Sequence, residues 1–500
     1  MSRAVSVSVL KTTGVLTCVL VLARGEPARA QSCVGDCNGD GHVLVNELIL
    51  GVGIALGSQP ESRCEVFDPD DSGAVTIDEL VVGVRDALGP CALATRTPTP
   101  TGGATPTPTL SGGGDLVREG DELRITQSND DDQECPSVAR TADGGFVVAW
   151  EERLSIGEVP LGIIARRFDS SGMPAKGEFD VTDDSDTSDP AVATDAAGNS
   201  LVVWRDLSEV DVRGQLFDPA GESIGDDFRI EDFGVDPAIA KAAGGAEGRF
   251  LVVWSDSGVD DSGLGVVGQL VEVGGEQASD FLINSYTRGD QSEPFVAGED
   301  GGQFLVVWTG SDDSDGDESG IFAQRLGSGG QRLGAELQVN SYTRDEQTRP
   351  GAAFLSDGGF VIVWAGARRD GANGGVFAQR FSSAGARAGT EFQVNTYTVG
   401  DQDTPAAVPS GGGFIVAWES EEGSGGDAQD GSDGGIFAQR FDSSGAPIGT
   451  EFQVNSYTRD DQGPLAAAAT GNDDFVIVWE SNDQDGDGEG VFGQRFRIAP

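Results

Sequence analysis

The chain's seven tryptophans, Trp150, Trp204, Trp254, Trp308, Trp364, Trp418 and Trp479, each close an apolar run such as GGFVVAW or GGFVIVW. They stand 54, 50, 54, 56, 54 and 61 residues apart. Recurrence at such a period marks one supersecondary unit repeated side by side, in a propeller or a solenoid, because a single unit cannot cover its own apolar faces. Seven copies are therefore expected within residues 115–500.

Aligned on Trp, the copies share one order: a Pro-x-Val-Ala-like segment, a Gly-rich turn, F-[LV]-V-x-W, a variable Asp/Gly loop, G-[IV]-F-A-Q-R-F, a second turn, and E-F-Q-V-N. That order predicts four short strands per copy. Pro136, Pro190, Pro237, Pro294, Pro350, Pro405 and Pro464 each open a first strand, where a missing N–H does little harm. The second strand is apolar at nearly every position, as in Phe360-Val361-Ile362-Val363-Trp364, and must be covered on both faces. Radially stacked blades provide that cover. The last copy stops at Phe496-Arg497-Ile498 without an E-F-Q-V-N strand, whereas Gly120-Asp121-Glu122-Leu123-Arg124-Ile125 supplies one before the first copy. This complement predicts a closed ring, since an open solenoid would carry caps instead. The expected fold is mainly β: a seven-bladed propeller of four-stranded blades closed by an N-terminal strand, with a small α module before it.

In a blade whose strands run up and down, the loop after the second strand and the connection to the next blade emerge on one face. The loops there include Asp313-x-Asp315-x-Asp317, Asp427 to Asp433, and Asp483-x-Asp485-x-Asp487. The connections hold all four tyrosines of the chain, Tyr286, Tyr342, Tyr397 and Tyr457, in Asn-Ser-Tyr-Thr-like segments. A fixed framework with one variable set of loops describes a binding face. Two readings stay open for these residues. Asp313, Asp315, Asp317, Asp483, Asp485 and Asp487 could line calcium sites, or Asp and Gly could simply form polar turns while Tyr and Asn pin the next blade. Gln324, Gln379, Gln439 and Gln494 on the third strand are expected to bond neighbouring backbone.

Residues 1–30 carry Arg3, Lys11, an apolar stretch from Val15 to Ala23, and Ala28-Arg29-Ala30, the small-x-small pattern of a signal-peptidase site. Cleavage after Ala30 would export the protein, and no later segment reaches the roughly 20 apolar residues of a membrane span. The formal charge of −51, from 83 acidic and 32 basic residues, repels phosphate backbones and argues against a nucleic-acid partner. An oxidising compartment would pair Cys33, Cys37, Cys64 and Cys91, in any of three connectivities. Cys135 is left over and is expected to be an inert thiol. Residues 95–114, TRTPTPTGGATPTPTLSGGG, form an extended tether.

Within residues 31–94, Asp36, Asn38, Asp40, Gly41 and Glu47 fit a calcium loop, and Asp68, Asp70, Ser72, Gly73 and Glu79 repeat it. His42 and Ala74 hold position 7, which offers only a backbone carbonyl. That makes His42, the chain's sole histidine, a loop spectator. Leu48, Ile49, Val52, Ala55 and Leu56 recur as Leu80, Val81, Val84, Ala87 and Leu88, one helical face duplicated. A core this small needs the metal and disulfides for stability. GDCNGDGHVLVNEL and FDPDDSGAVTIDEL resemble the two loop-and-helix repeats of a dockerin, the module that docks onto cohesins. The resemblance implies calcium binding. It departs at Glu47 and Glu79, where dockerins usually carry Asp, and at Val45-Asn46 and Ile77-Asp78, where Ser-Thr pairs usually meet cohesin.

The propeller repeats are similar to the F-V-V-x-W, Q-R-F repeats of large secreted bacterial proteins with calcium-binding regions, which implies architecture and not chemistry. One histidine in a calcium loop and one unpaired cysteine nearly exclude Ser-His-Asp and Cys-His catalysis. The leading expectation is a secreted, calcium-binding, non-enzymatic protein, tethered by its dockerin-like module, whose propeller presents a face to a polysaccharide or to a cohesin-like or other surface protein. Two alternatives remain: a polysaccharide-acting enzyme, carboxylate-based glycosidase or lyase, and a structural envelope or matrix component. Carboxylates converging on the central channel, with aromatic neighbours, would favour the enzyme.

Overall fold

The computed structural model describes residues 115–499 apart from 128–130, 155–158, 183, 233–239, 261, 300, 312–317, 370–373, 422–428 and 487. The leader, the tether and the calcium-loop pair expected before residue 115 lie outside the described residues. Apart from one short 3-10 turn at Ala246–Gly248, the regular elements described are strands. No helix among the described residues is long and apolar enough to cross a membrane.

Each Trp-centred copy forms one antiparallel sheet, seven sheets in all. The fifth blade is representative: an inner strand Gln347–Phe354, a second strand Phe360–Ala367, a third Gly374–Phe381 and a two-residue outer strand Phe392–Gln393. Strict pairing runs through the middle, with Phe360 opposite Phe381 and Trp364 opposite Phe377. Phe360 and Phe381 stack 5.0 Å apart, and Phe414–Phe441 and Phe475–Phe496 repeat that contact in later blades.

The apolar second strands are buried because each sheet is sandwiched between two others. Along a strand, successive side chains point to opposite faces. Val361 and Val363 accordingly pack with Phe414, Val416 and Trp418 of the next blade, while Phe360, Ile362 and Trp364 pack with Leu305 and Val307 of the preceding one. All seven tryptophans are at most 1% exposed. The seven hydrophobic clusters correspond to seven blade interfaces, and the one joining Val476 and Val478 to Phe146, Val148 and Trp150 closes the circle.

Closure follows the predicted complement. Leu116–Arg118 and Leu123–Arg124 pair with the last strand, Glu489–Ile498, so the seventh blade is built from both ends of the propeller. Ile125 is fully buried in the closing interface. Glu122 accepts hydrogen bonds from Ser456 N–H (2.8 Å) and its Oγ (2.7 Å), as Glu336 does from Ser285 and Glu391 from Ser341 between internal blades.

One expectation is corrected. Among the described residues the prolines do not open the inner strands; Pro136 lies inside Asp132–Arg140 and Pro405 inside Asp401–Ser410. They are tolerated because the register slips there, between Glu134 and Ser137 and between Asp403 and Ala406. A bulge takes the proline nitrogen out of the ladder.

Candidate functional site

The blade connections are occupied in holding blades together. Asn284, Asn340, Asn395 and Asn455 accept the third-strand N–H of Val266, Ile321, Val376 and Ile436. Their amides donate to Gln291, Gln347, Gln402 and Gln462 at 2.7–2.8 Å. They also donate to the carbonyls of Tyr286, Tyr342, Tyr397 and Tyr457. These Asn-Tyr segments are pins. Gln324, Gln379, Gln439 and Gln494 each donate to the carbonyl of the following arginine, which is the expected structural role.

Of the acidic loop residues, Asp313, Asp315, Asp317 and Asp487 lie outside the described residues. So do Asp36, Asn38, Asp40, His42, Glu47, Asp68, Asp70, Ser72, Ala74 and Glu79. Asp485 is buried and accepts a charged hydrogen bond from Arg124 at 2.8 Å; Asp483 closes a tight turn with the N–H of Gly486. Among the described residues no group of three or more His, Cys, Asp or Glu side chains is arranged to hold a metal ion.

A different ring of residues converges on the channel. The inner strands enclose a space of about 1510 Å³, walled by small residues such as Ala191, Ala242, Ala352 and Ala407, with Phe295 and Phe354 among its lining. Two positions are coupled at its mouth, the first lining it in five blades and the second lying beside it on the second strand. One is the residue before the inner-strand proline: Cys135, Asp189, Glu293, Arg349, Thr404 and Gly463. The first five adopt the left-handed region, with φ of 52°, 53°, 51°, 51° and 44°. That conformation is costly for residues bearing a Cβ and recurs at functional sites. The other position follows the tryptophan: Glu151, Arg205, Ser255, Thr309, Ala365, Glu419 and Glu480.

The two positions interlock. Glu480 accepts the N–H of Cys135 in the next blade at 3.1 Å, and Glu151 accepts that of Asp189 at 3.3 Å. Thr309 is too short to do so; it donates to Glu293, which itself takes the N–H of Arg349 at 2.9 Å. Glu419 accepts from Thr404 at 3.0 Å and lies against Gly463, where a Cβ would collide with its carboxylate. Each carboxylate therefore supports a strained bulge.

Charge around the ring is uneven, because the three glutamates after Trp fall in the sixth, seventh and first blades, side by side. Burial, reinforced by Glu489 and Glu134, pushes the Glu480 carboxyl up to about 9. Burial and Glu421 push Glu419 up to about 7, and Glu489 rises to about 7 by burial and beside Glu134. Burial also raises Glu151, but Arg153 donates to it at 2.5 Å and the side chain is 1% exposed. Glu419 and Glu480 are largely buried but each keeps part of its surface exposed. Cys135 is held far toward the protonated thiol by burial and these carboxylates, consistent with an unreactive sulfur.

No family model matches the chain, and no curated protein matches it. Among solved structures it is similar to a protein of unknown function from Dyadobacter fermentans, at 11% identity over 77% of this chain and 99% of that one, TM-score 0.47. It is also similar to the polysaccharide lyase Uly1, at 10% identity over 77% and 100%, TM-score 0.48. An α-L-arabinanase of Penicillium chrysogenum, solved with arabinobiose, is 14% identical over 63% and 94%, TM-score 0.40. The expectation of a non-enzymatic protein is corrected at this point, since the solved structures similar to the chain are mostly carbohydrate-active enzymes.

Proposed function

We propose that the propeller is a polysaccharide-acting enzyme of the carboxylate type, working at the channel mouth. One observation carries the reading. Glu419 and Glu480 occupy the same ring position in successive blades, each keeps part of its surface exposed, and their surroundings separate their proton affinities, about 7 against about 9. Two neighbouring carboxyls pushed apart in this way divide the work of acid and base. Glu480 keeps its proton near neutrality and would deliver it to the glycosidic oxygen as the bond breaks. Glu419 titrates near neutrality and, ionised, would take a proton from the attacking water or attack the anomeric carbon itself. The carboxylates supporting the other bulges are poorer candidates: Glu151 is sealed beneath Arg153, and Glu293 is committed to Thr309 and Arg349.

The test is sugar release by the full chain from a panel of plant and microbial polysaccharides. Glu480→Gln and Glu419→Gln are each expected to lower turnover by about 100-fold or more, the usual contribution of a general acid or base, while the circular-dichroism spectrum is retained. Release that survives both substitutions would place the chemistry elsewhere. We further propose that the paired loops of residues 31–94 bind calcium through Asp36, Asn38, Asp40, Glu47, Asp68, Asp70, Ser72 and Glu79, which calorimetric titration with calcium after chelation would measure.

A further inference from the structure

The reading of the mouth as a glycan site can be taken one step further, to the kind of glycan. A sugar acid, sulfate ester or sialic-acid carboxylate needs a cation free to meet it, ideally an arginine fork. The arginines at this mouth are already engaged. Arg153 is held between Glu151 (2.5 Å) and Glu134 (3.3 Å), Arg205 binds Asp189 at 2.8 Å, and Arg349 is paired with Asp403. Lys241, on the third blade's inner strand, faces Asp189 and Cys135, and burial drives its ammonium toward the neutral form. Against these four cations stand Glu134, Asp189, Glu293, Asp403, Glu419 and Glu480, with Glu151 and Glu489 behind them.

From this arrangement we infer that the channel mouth accepts glycan chains bearing no anionic groups and turns away uronate and sulfated polysaccharides. This rests on the proposed function in locating the glycan site, but it concerns recognition and not chemistry. The walls agree with it. Below the charged rim the channel is lined largely by alanine, and the one further arginine in its described lining, Arg140, stands at the far end of the first inner strand, away from the mouth.

Native affinity electrophoresis of the full chain separates the two claims. Gels would contain β-glucan, arabinan or galactomannan on one side and polygalacturonate, alginate or carrageenan on the other, with sugar release assayed in parallel. The expected result is retardation by at least one neutral polymer, at least tenfold stronger than by any anionic one. Neutral-selective retardation without release would leave the inference standing and remove the enzymatic reading. Release from an anionic polymer would do the reverse, and retardation by none of them would overturn the inference. A second variant locates the selection. Asp403→Asn frees Arg349, whose side chain is 49% exposed, and is expected to create measurable retardation by polygalacturonate. Failure to gain that binding would show that selection does not reside at the mouth.

Discussion

Glu480 accepts a backbone N–H with one carboxylate oxygen and still holds a proton far above the ordinary glutamate range, because it is largely buried and the charged groups nearest it are other carboxyls. This has a thermodynamic sign. Between its ordinary value of 4.5 and about 9, the folded protein retains a proton that the unfolded chain has lost, so stability falls as pH rises through that window. Glu419 adds a contribution of the same sign between 4.5 and about 7. Glu480→Gln keeps an acceptor for Cys135 and removes the titration. The variant should therefore melt above the parent at pH 8.5 and converge with it by pH 5; a gap independent of pH in thermal denaturation would mean that the proton on Glu480 has been misassigned. These glutamates are inconspicuous in the sequence because each sits directly after a tryptophan, inside a run that reads as framework. The signal was present in the alignment column itself, where Glu, Arg, Ser, Thr, Ala, Glu and Glu follow seven identical neighbours. A position that varies in charge between an invariant core residue and a turn is facing something other than core. By contrast, Tyr286 and its counterparts read as aromatics on a variable face, yet it is their backbone carbonyls that the asparagine pins use.

At the scale of the strand, two sequence periods had different legibility. The second strand could be read directly, since five consecutive apolar residues have no stable place except between two sheets, and Phe360 to Trp364 are all fully buried. The inner strand was harder, because a proline suggests an edge or a beginning and says nothing of a bulge in the middle. Only the left-handed backbone of Arg349 and Thr404 explains how the strand continues through it. Outer strands of two residues, such as Phe392–Gln393, carry few ladder bonds, so the asparagine that follows does much of the work of fixing the blade. Asn395 satisfies Val376 N–H at 2.9 Å, Gln402 at 2.8 Å and the Tyr397 carbonyl at 2.7 Å, and it is 3% exposed. Asn395→Ala would leave those groups buried without partners, at about 1–3 kcal/mol for each group left unsatisfied. The expected outcome is a loss of about 3 kcal/mol in denaturant unfolding with the fluorescence of the buried tryptophans unchanged in the native state. A cost below about 0.5 kcal/mol would mean that water replaces the pin.

The molecule as a whole must hold a ring shut against its own charge. A formal charge of −51 works against compactness, and screening shortens the range of that repulsion to about 10 Å at 0.1 M salt. Melting temperature should therefore rise with sodium chloride between 0.02 and about 0.5 M; a flat response would imply that local pairing already offsets the excess. The ring also has one seam that differs from the rest. Internal blades are joined by continuous chain, whereas the seventh is completed by a strand arriving from the other end of the propeller, and Glu122 clasps Ser456 across that seam. Glu451 makes a chemically similar set of bonds, to Thr396 N–H at 2.7 Å and to Gln429 at 2.7 Å, at an internal junction. Comparing the two isolates what closure adds. Each alanine variant loses comparable bonding, about 1–2 kcal/mol for partly exposed groups. In Glu122→Ala, however, Leu116–Arg124 can also peel away and uncover Phe496 and Ile498, which Glu451→Ala does not permit. Limited proteolysis should then cut Glu122→Ala near residues 115–131 well before Glu451→Ala is cut anywhere, and its melting temperature should be the lower of the two. Equal proteolysis of the pair would show that the hydrophobic seam around Ile125 holds the ring without the clasp.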